Sequence, residues 1–158
     1  MNAPARIWLE VAHHKAFRVG GWAFVRAQGG EVSGVAGGDR RIDTGRTDLA
    51  ALAAALRDLP PGTAVELYTS SPQVLAIPAR VAAAEAGEEP PTEDLDLWAQ
   101  TATTLRRLEV HMRRADLAPR SPAAFASAWA DLARDRAKDK GAFTSAIPKP
   151  NLAKAGIS

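Results

Sequence analysis

AVELYTSSPQV, residues 64–74, decides the fold. Ala64 to Thr69 is a short run of β-branched, aromatic and aliphatic residues, which reads as a strand. Ser71 followed by Pro72 then starts a helix: the hydroxyl caps it, and proline at the first helical position gives up no hydrogen bond. That helix is broken or kinked near Pro78 and fades by Gly87. A strand passing straight into a helix is the opening of a crossover connection, so a parallel pair is expected around it.

Upstream, Pro60-Pro61-Gly62 stops a helix that Asp43 or Thr44 caps and that runs to about Asp58. Its Leu49, Leu52, Ala53 and Leu56 recur at helical spacing. Before it lie three strands: RIWLEVAH (Arg6 to His13), WAFVRAQ opened by Gly20-Gly21, and EVSGVAG. Gly29-Gly30 between the last two is a two-residue hairpin turn, without the spacing or the lysine of a phosphate-binding loop. Downstream come a polar loop over 87–92, a helix from about Glu93 to Leu108, and a strand from Glu109 to Arg113. A final helix carries Phe125, Trp129, Leu132 and Ala133. The expected architecture is α/β: a five-stranded mixed sheet, three antiparallel strands plus two parallel, with helices on both faces. One domain over residues 1–140 is expected. Residues 141–158, with two prolines, two glycines and no periodic pattern, read as a flexible or partner-ordered C-terminal tail.

The 158 residues are 46% hydrophobic and 24% charged, which suits one folded domain rather than a disordered chain. No apolar run approaches the roughly 18–20 residues that span a bilayer. No secretory signal is visible, so no membrane association and a cytoplasmic location are expected. The absence of cysteine removes disulfides, thiolate metal sites and cysteine nucleophiles together. A net charge of +2 does not by itself imply nucleic acid. The charge is clustered, however: basic around His13–Arg18, Arg40–Arg46 and Arg113–Arg120, acidic from Glu85 to Asp96. Trp8, Trp22, Trp98 and Trp129 all fall within predicted elements and read as core. Glu10 stands inside an apolar strand and therefore needs a cleft, water or a polar partner.

Five fragments, in order, give a family resemblance: GGWAFV (Gly20 to Val25), RTDLAALAAAL (Arg46 to Leu56), LYTSSPQV (Leu67 to Val74), DLW (Asp96 to Trp98) and ADLAR (Ala130 to Arg134). Together they resemble type 1 ribonuclease H, with its GGWGA, RMELxAxxxAL, LYTDSQYV, DLW and ADxLAR-like fragments, over about Arg6 to Ala137. The resemblance implies cleavage of the RNA strand of an RNA–DNA hybrid by two magnesium ions held between four carboxylates. Two hard dications held close together need that many anionic oxygens to offset their repulsion.

By this resemblance the first metal ligand is Glu10, one methylene longer than the family's aspartate. The second is Asp48, one methylene shorter than the family's glutamate, so the two partly compensate in reach. The third slot is Ser70, a neutral hydroxyl. The fourth aligns with Ala130, leaving Asp131 beside it as a substitute, or Asp135 one turn further. The resemblance thus implies weak, single-ion Mg or Mn binding at Glu10 and Asp48, or none. It also implies nucleic-acid contacts by His13, Lys15, Arg18, Thr44 and Arg46. Three readings follow. One is a pseudoenzyme that binds RNA–DNA hybrid or other structured nucleic acid. Another is an atypical Mg- or Mn-dependent hybrid nuclease using Glu10, Asp48 and Asp131. The last is a non-catalytic module with a protein partner or a homo-oligomer.

Overall fold

The computed structural model describes residues 3–157. Three long strands open the chain: β1 (Ala5–His14), β2 (Val19–Gln28) and β3 (Glu31–Arg40). They form an antiparallel meander in which Ala5 faces Gln28 and Val19 faces Arg40. Gly29 and Gly30 turn the second hairpin with φ of 59° and 82°, the left-handed pair that a tight turn between twisted strands requires. Helix α1 (Thr44–Leu56) leads to β4 (Ala64–Thr69), which pairs parallel with β1. Ser71 Oγ accepts the Val74 N–H and starts α2 (Pro72–Leu75). Ala76 separates it from α3 (Ile77–Glu85), whose first turn holds Pro78, so the break falls where the proline predicts it. Helix α4 (Leu95–Arg107) then delivers β5 (Glu109–Arg114), parallel to β4. Helix α5 (Pro122–Lys140) crosses back over the meander.

The sheet has six strands rather than five, in the order β5-β4-β1-β2-β3-β6. The additional strand, β6 (Phe143–Ala146), lies in the stretch that the sequence suggests is a flexible tail, and it pairs antiparallel with β3. Behind it α6 (Lys149–Leu152) follows, and Ile147, Leu152 and Ala155 are buried. A four-residue strand followed closely by Pro148 and Pro150 is too short for a periodic signal. What fixes this stretch is the open edge of β3, which lies about a hundred residues earlier in the chain.

Strand alternation divides the core into two layers. Ile7, Leu9, Trp22, Phe24, Leu67 and the leucines of α1 form one layer, with Trp98 at its margin. Ala12, Ala23, Val25 and Ala36 form the other against α5, with Trp8 and Trp129 at its margin. Of the four tryptophans read as core, Trp22 is buried and the other three are partly buried at the margins of the two layers. On α5, Phe125 and Trp129 pack at the margin as well, and Ala133 is buried. Ala123, Ala126, Ala130, Ala133 and Ala137 make the buried stripe, while Leu132 is 59% exposed. The reason is Gly21: a Cβ there would stand 2.2 Å from the Arg134 amide nitrogen and 2.7 Å from the Ala130 carbonyl oxygen. Helix and strand backbones approach so closely that only methyl groups fit between them.

Candidate functional site

Glu10 belongs to the phase of β1 that faces the α5 layer, shared with Trp8 and Ala12. The pairing of Trp8 with Tyr68 sets the register that carries Ser70, just past β4, level with Glu10. Ser70 donates twice to it: its backbone N–H to Oε2 at 2.8 Å and its hydroxyl to Oε1 at 2.5 Å. Glu10 is only 3% exposed. Burial pushes its carboxyl above the usual range, and the two Ser70 bonds pull part of the way back.

Asp48 lies in the second turn of α1 and is 6% exposed. Burial pushes its carboxyl up to about 6, against the opposing pull of His13 and Arg80. His13, near the end of β1, ties this region together. Its Nε2 lies 2.8 Å from the Ile42 carbonyl oxygen and its Nδ1 lies 3.1 Å from Thr44 Oγ1. A carbonyl only accepts, so Nε2 carries the hydrogen, and in the neutral ring Nδ1 accepts from the Thr44 hydroxyl.

Ala130, which the resemblance aligns with a fourth ligand, points inward. Ala130 is fully buried and packs in the layer that contains Ala12 and Ala23; Ala23 is the strand partner of Glu10. Asp131, one residue on, is turned to solvent and lies 3.7 Å from Arg134. Asp135 pairs with the same arginine at 3.3 Å. Among the described residues, no group of three or more His, Asp and Glu side chains converges on a position that would hold a metal.

Of the residues expected to meet nucleic acid, several are engaged within the chain. Arg18 is paired with Asp43 at 2.9 Å, both groups exposed. Thr44 is occupied by His13. Arg46 reaches 48 residues ahead to Asp94 and grips Asp96 with both terminal nitrogens, each contact 3.1 Å. The two carboxylates hold the guanidinium more firmly in its charged form, and Arg46 in turn lowers the Asp96 carboxyl. Lys15 is exposed on the short 3₁₀ turn Lys15–Phe17. That turn is more basic than its own sequence indicates. Lys138, from the far end of α5, sits 4.0 Å from the ring centre of exposed Phe17, and Arg40 is cross-strand from Val19. No local signal marks Lys138 for this place, because only the crossing of α5 brings it there.

No family model matches the chain, and no curated protein matches it. Solved structures do. LC9-RNase H1, described as a type 1 RNase H with the type 2 active-site motif, superposes with a TM-score of 0.70 at 13% identity, over 100% of this chain and 87% of that one. The N-terminal RNase H domain of Rv2228c from Mycobacterium tuberculosis, solved as a fusion with maltose-binding protein, gives a TM-score of 0.60 at 14% identity. That match covers 87% of this chain and 97% of the other. At such identities the likeness speaks for the fold.

Proposed function

On the ribonuclease H-like fold that these likenesses establish, we propose that the chain binds RNA–DNA hybrid or similarly structured nucleic acid and cleaves it weakly or not at all. One observation carries the second half: both oxygens of Glu10 accept hydrogen bonds from Ser70. Where two magnesium or manganese ions would need a further anion, the chain supplies a hydrogen-bond donor that consumes the anion it already has. Ala130 adds a methyl group at the other absent position. Asp48 then faces the cost of ionising in a buried place without a dication beside it. This donor set does not fit a metal pair, and no hydrolytic step is derived from it.

Binding is supported by the basic end of the meander, where Lys15 and Arg18 flank the exposed Phe17 in sequence, Lys138 lies over its ring, and Arg40 stands cross-strand from Val19. Lysines and arginines that neutralise phosphates release counterions, so affinity should fall steeply as salt rises. The expected result is saturable, salt-dependent binding of a labelled hybrid with no turnover in Mg²⁺ or Mn²⁺. A Ser70→Asp, Ala130→Asp double variant, measured beside it, is expected to gain cleavage. Vigorous turnover by the parent, abolished in Glu10→Gln, would overturn the reading of an impaired centre. Absence of saturable binding would overturn the rest.

The carboxylates on Arg46 occupy the place a phosphate would take. Asp94→Asn, Asp96→Asn should therefore tighten hybrid binding several-fold and steepen its salt dependence by about one phosphate contact. Unchanged affinity and slope would remove Arg46 from the binding surface.

A further inference from the structure

We infer that the trough between α3 and α4 is a docking site for a basic amphipathic helix of a protein partner. Leu95, Trp98, Ala102 and Leu105 give α4 one apolar side, yet Thr101 is its only buried residue. Across from it α3 buries only Ile77 and Val81. The two helices leave an apolar hollow of about 270 Å³ around Val81, Pro91, Leu95 and Trp98. A second hollow of about 420 Å³ reaches Pro78, Leu105 and Val110. Val81, Glu85 and Ala102 line both, so the hollows form one continuous trough. From Leu95 to Leu105 it runs about 15 Å along the helix axis, room for some three turns of another helix. Leu95, at its mouth, is 58% exposed.

Charge identifies the occupant. Residues 80–106 contain six acidic side chains against two basic ones, Arg80, which stacks over Trp98 at 4.4 Å, and Arg106, which lines the second hollow, in a chain whose net charge is +2. Arg46 already balances Asp94 and Asp96, whereas Glu88, Glu89 and Glu93 stand exposed in the loop that joins α3 to α4. Glu85 and Arg106 face each other from α3 and α4 at 3.4 Å, an exposed pair that an incoming lysine or arginine can exchange with. An apolar floor beside an acidic loop disfavours phosphate and suits a helix with apolar anchors on one side and cations on the other. This site does not depend on hybrid binding, whose basic surface is formed by other residues.

The test uses the full chain, isotopically labelled for NMR. It is titrated with a synthetic peptide helix carrying leucines on one side and lysines on the other. Its glutamate-for-lysine twin and a scrambled peptide of the same lysine content are titrated in parallel. The lysine helix is expected to bind saturably, with shifts concentrated in residues 78–110, and each control to bind at least about tenfold more weakly. Ala99 is exposed and lines the trough, so Ala99→Gln should fold normally and still cost about tenfold in peptide affinity. Hybrid binding should be unchanged in that variant. Equal binding of the scrambled peptide would reduce the effect to bulk charge and overturn the proposal, as would an absence of saturation. A dimer in sedimentation that Ala99→Gln dissolves would also overturn it, because a second copy would then be the occupant.

Discussion

Gly21→Ala is expected to cost about 3 kcal/mol or more of folding stability, which lowers the ratio of folded to unfolded protein by more than about a hundredfold. The added methyl would stand 2.2 Å from the Arg134 amide nitrogen and 2.7 Å from the Arg134 Cα and the Ala130 carbonyl oxygen. All three are backbone atoms of α5, so no side chain can swing aside. Relief requires lifting the helix from β2, which opens the alanine stripe from Ala123 to Ala137 along its length. Gly45 is the internal control. It lies in the first turn of α1 with nothing within 4 Å of where a methyl would stand, so Gly45→Ala should stabilise by about 0.5–1 kcal/mol. Urea unfolding of the three proteins checks both signs. A Gly21→Ala variant within about 0.5 kcal/mol of the parent would mean that α5 sits further from the sheet than described.

Asp48→Asn carries the second large effect, in the opposite direction. The folded protein holds the Asp48 carboxyl up to about 6, against 3.8 for a free aspartate. The folded state thus binds the proton more tightly than the unfolded state. Its stability contribution is complete below about pH 4 and is lost as pH rises through about 6. The difference corresponds to at most about 3 kcal/mol by neutral pH. Asparagine is neutral at every pH in this range, and no hydrogen bond to the Asp48 carboxylate is seen among the described residues that the change would break. The variant should be about 1–3 kcal/mol more stable than the parent at pH 7.5 and should lose most of the parent's gain on acidification. Denaturant midpoints at intervals from pH 4 to pH 8 measure this. Any slope that remains has the sign expected of Glu10, whose carboxyl burial also raises. A variant less stable than the parent at pH 7.5 would show that the carboxylate has a favourable partner. A buried acid that opposes folding is the kind of residue retained for a task rather than for stability.

What can be read from the chain alone follows from the range of the forces involved. The meander, the Pro60-Pro61-Gly62 stop and the Ser71-Pro72 start are local signals, and the elements lie within a few residues of where those signals put them. The approach of Ser70 to Glu10 is accessible through the family resemblance, which assigns both positions to one metal centre. That the meeting is a double hydrogen bond depends on strand register, which no fragment contains. The Arg46 ion pairs join residues 48 and 50 apart in sequence, and their acidic partners stand in the chain only as part of the acidic run from Glu85 to Asp96. The alanine stripe that α5 buries gives no signal in the chain, because small residues mark a buried face less clearly than large ones. Here the limiting quantity is the gap left by Gly21, which excludes Leu132 and admits Ala130.

The pairing of β6 with β3 has a consequence for the molecule's behaviour in a crowded solution. Without β6, the stretch of β3 from Val35 to Gly38 would leave its outward N–H and C=O groups unpaired at a sheet border, beside the apolar patch that Ile147, Leu152 and Ala155 now cover. Such a border invites strand-by-strand stacking between copies. The segment from Phe143 to Ala155 acts as a selvedge, a finished hem that keeps the sheet from being extended by its neighbours.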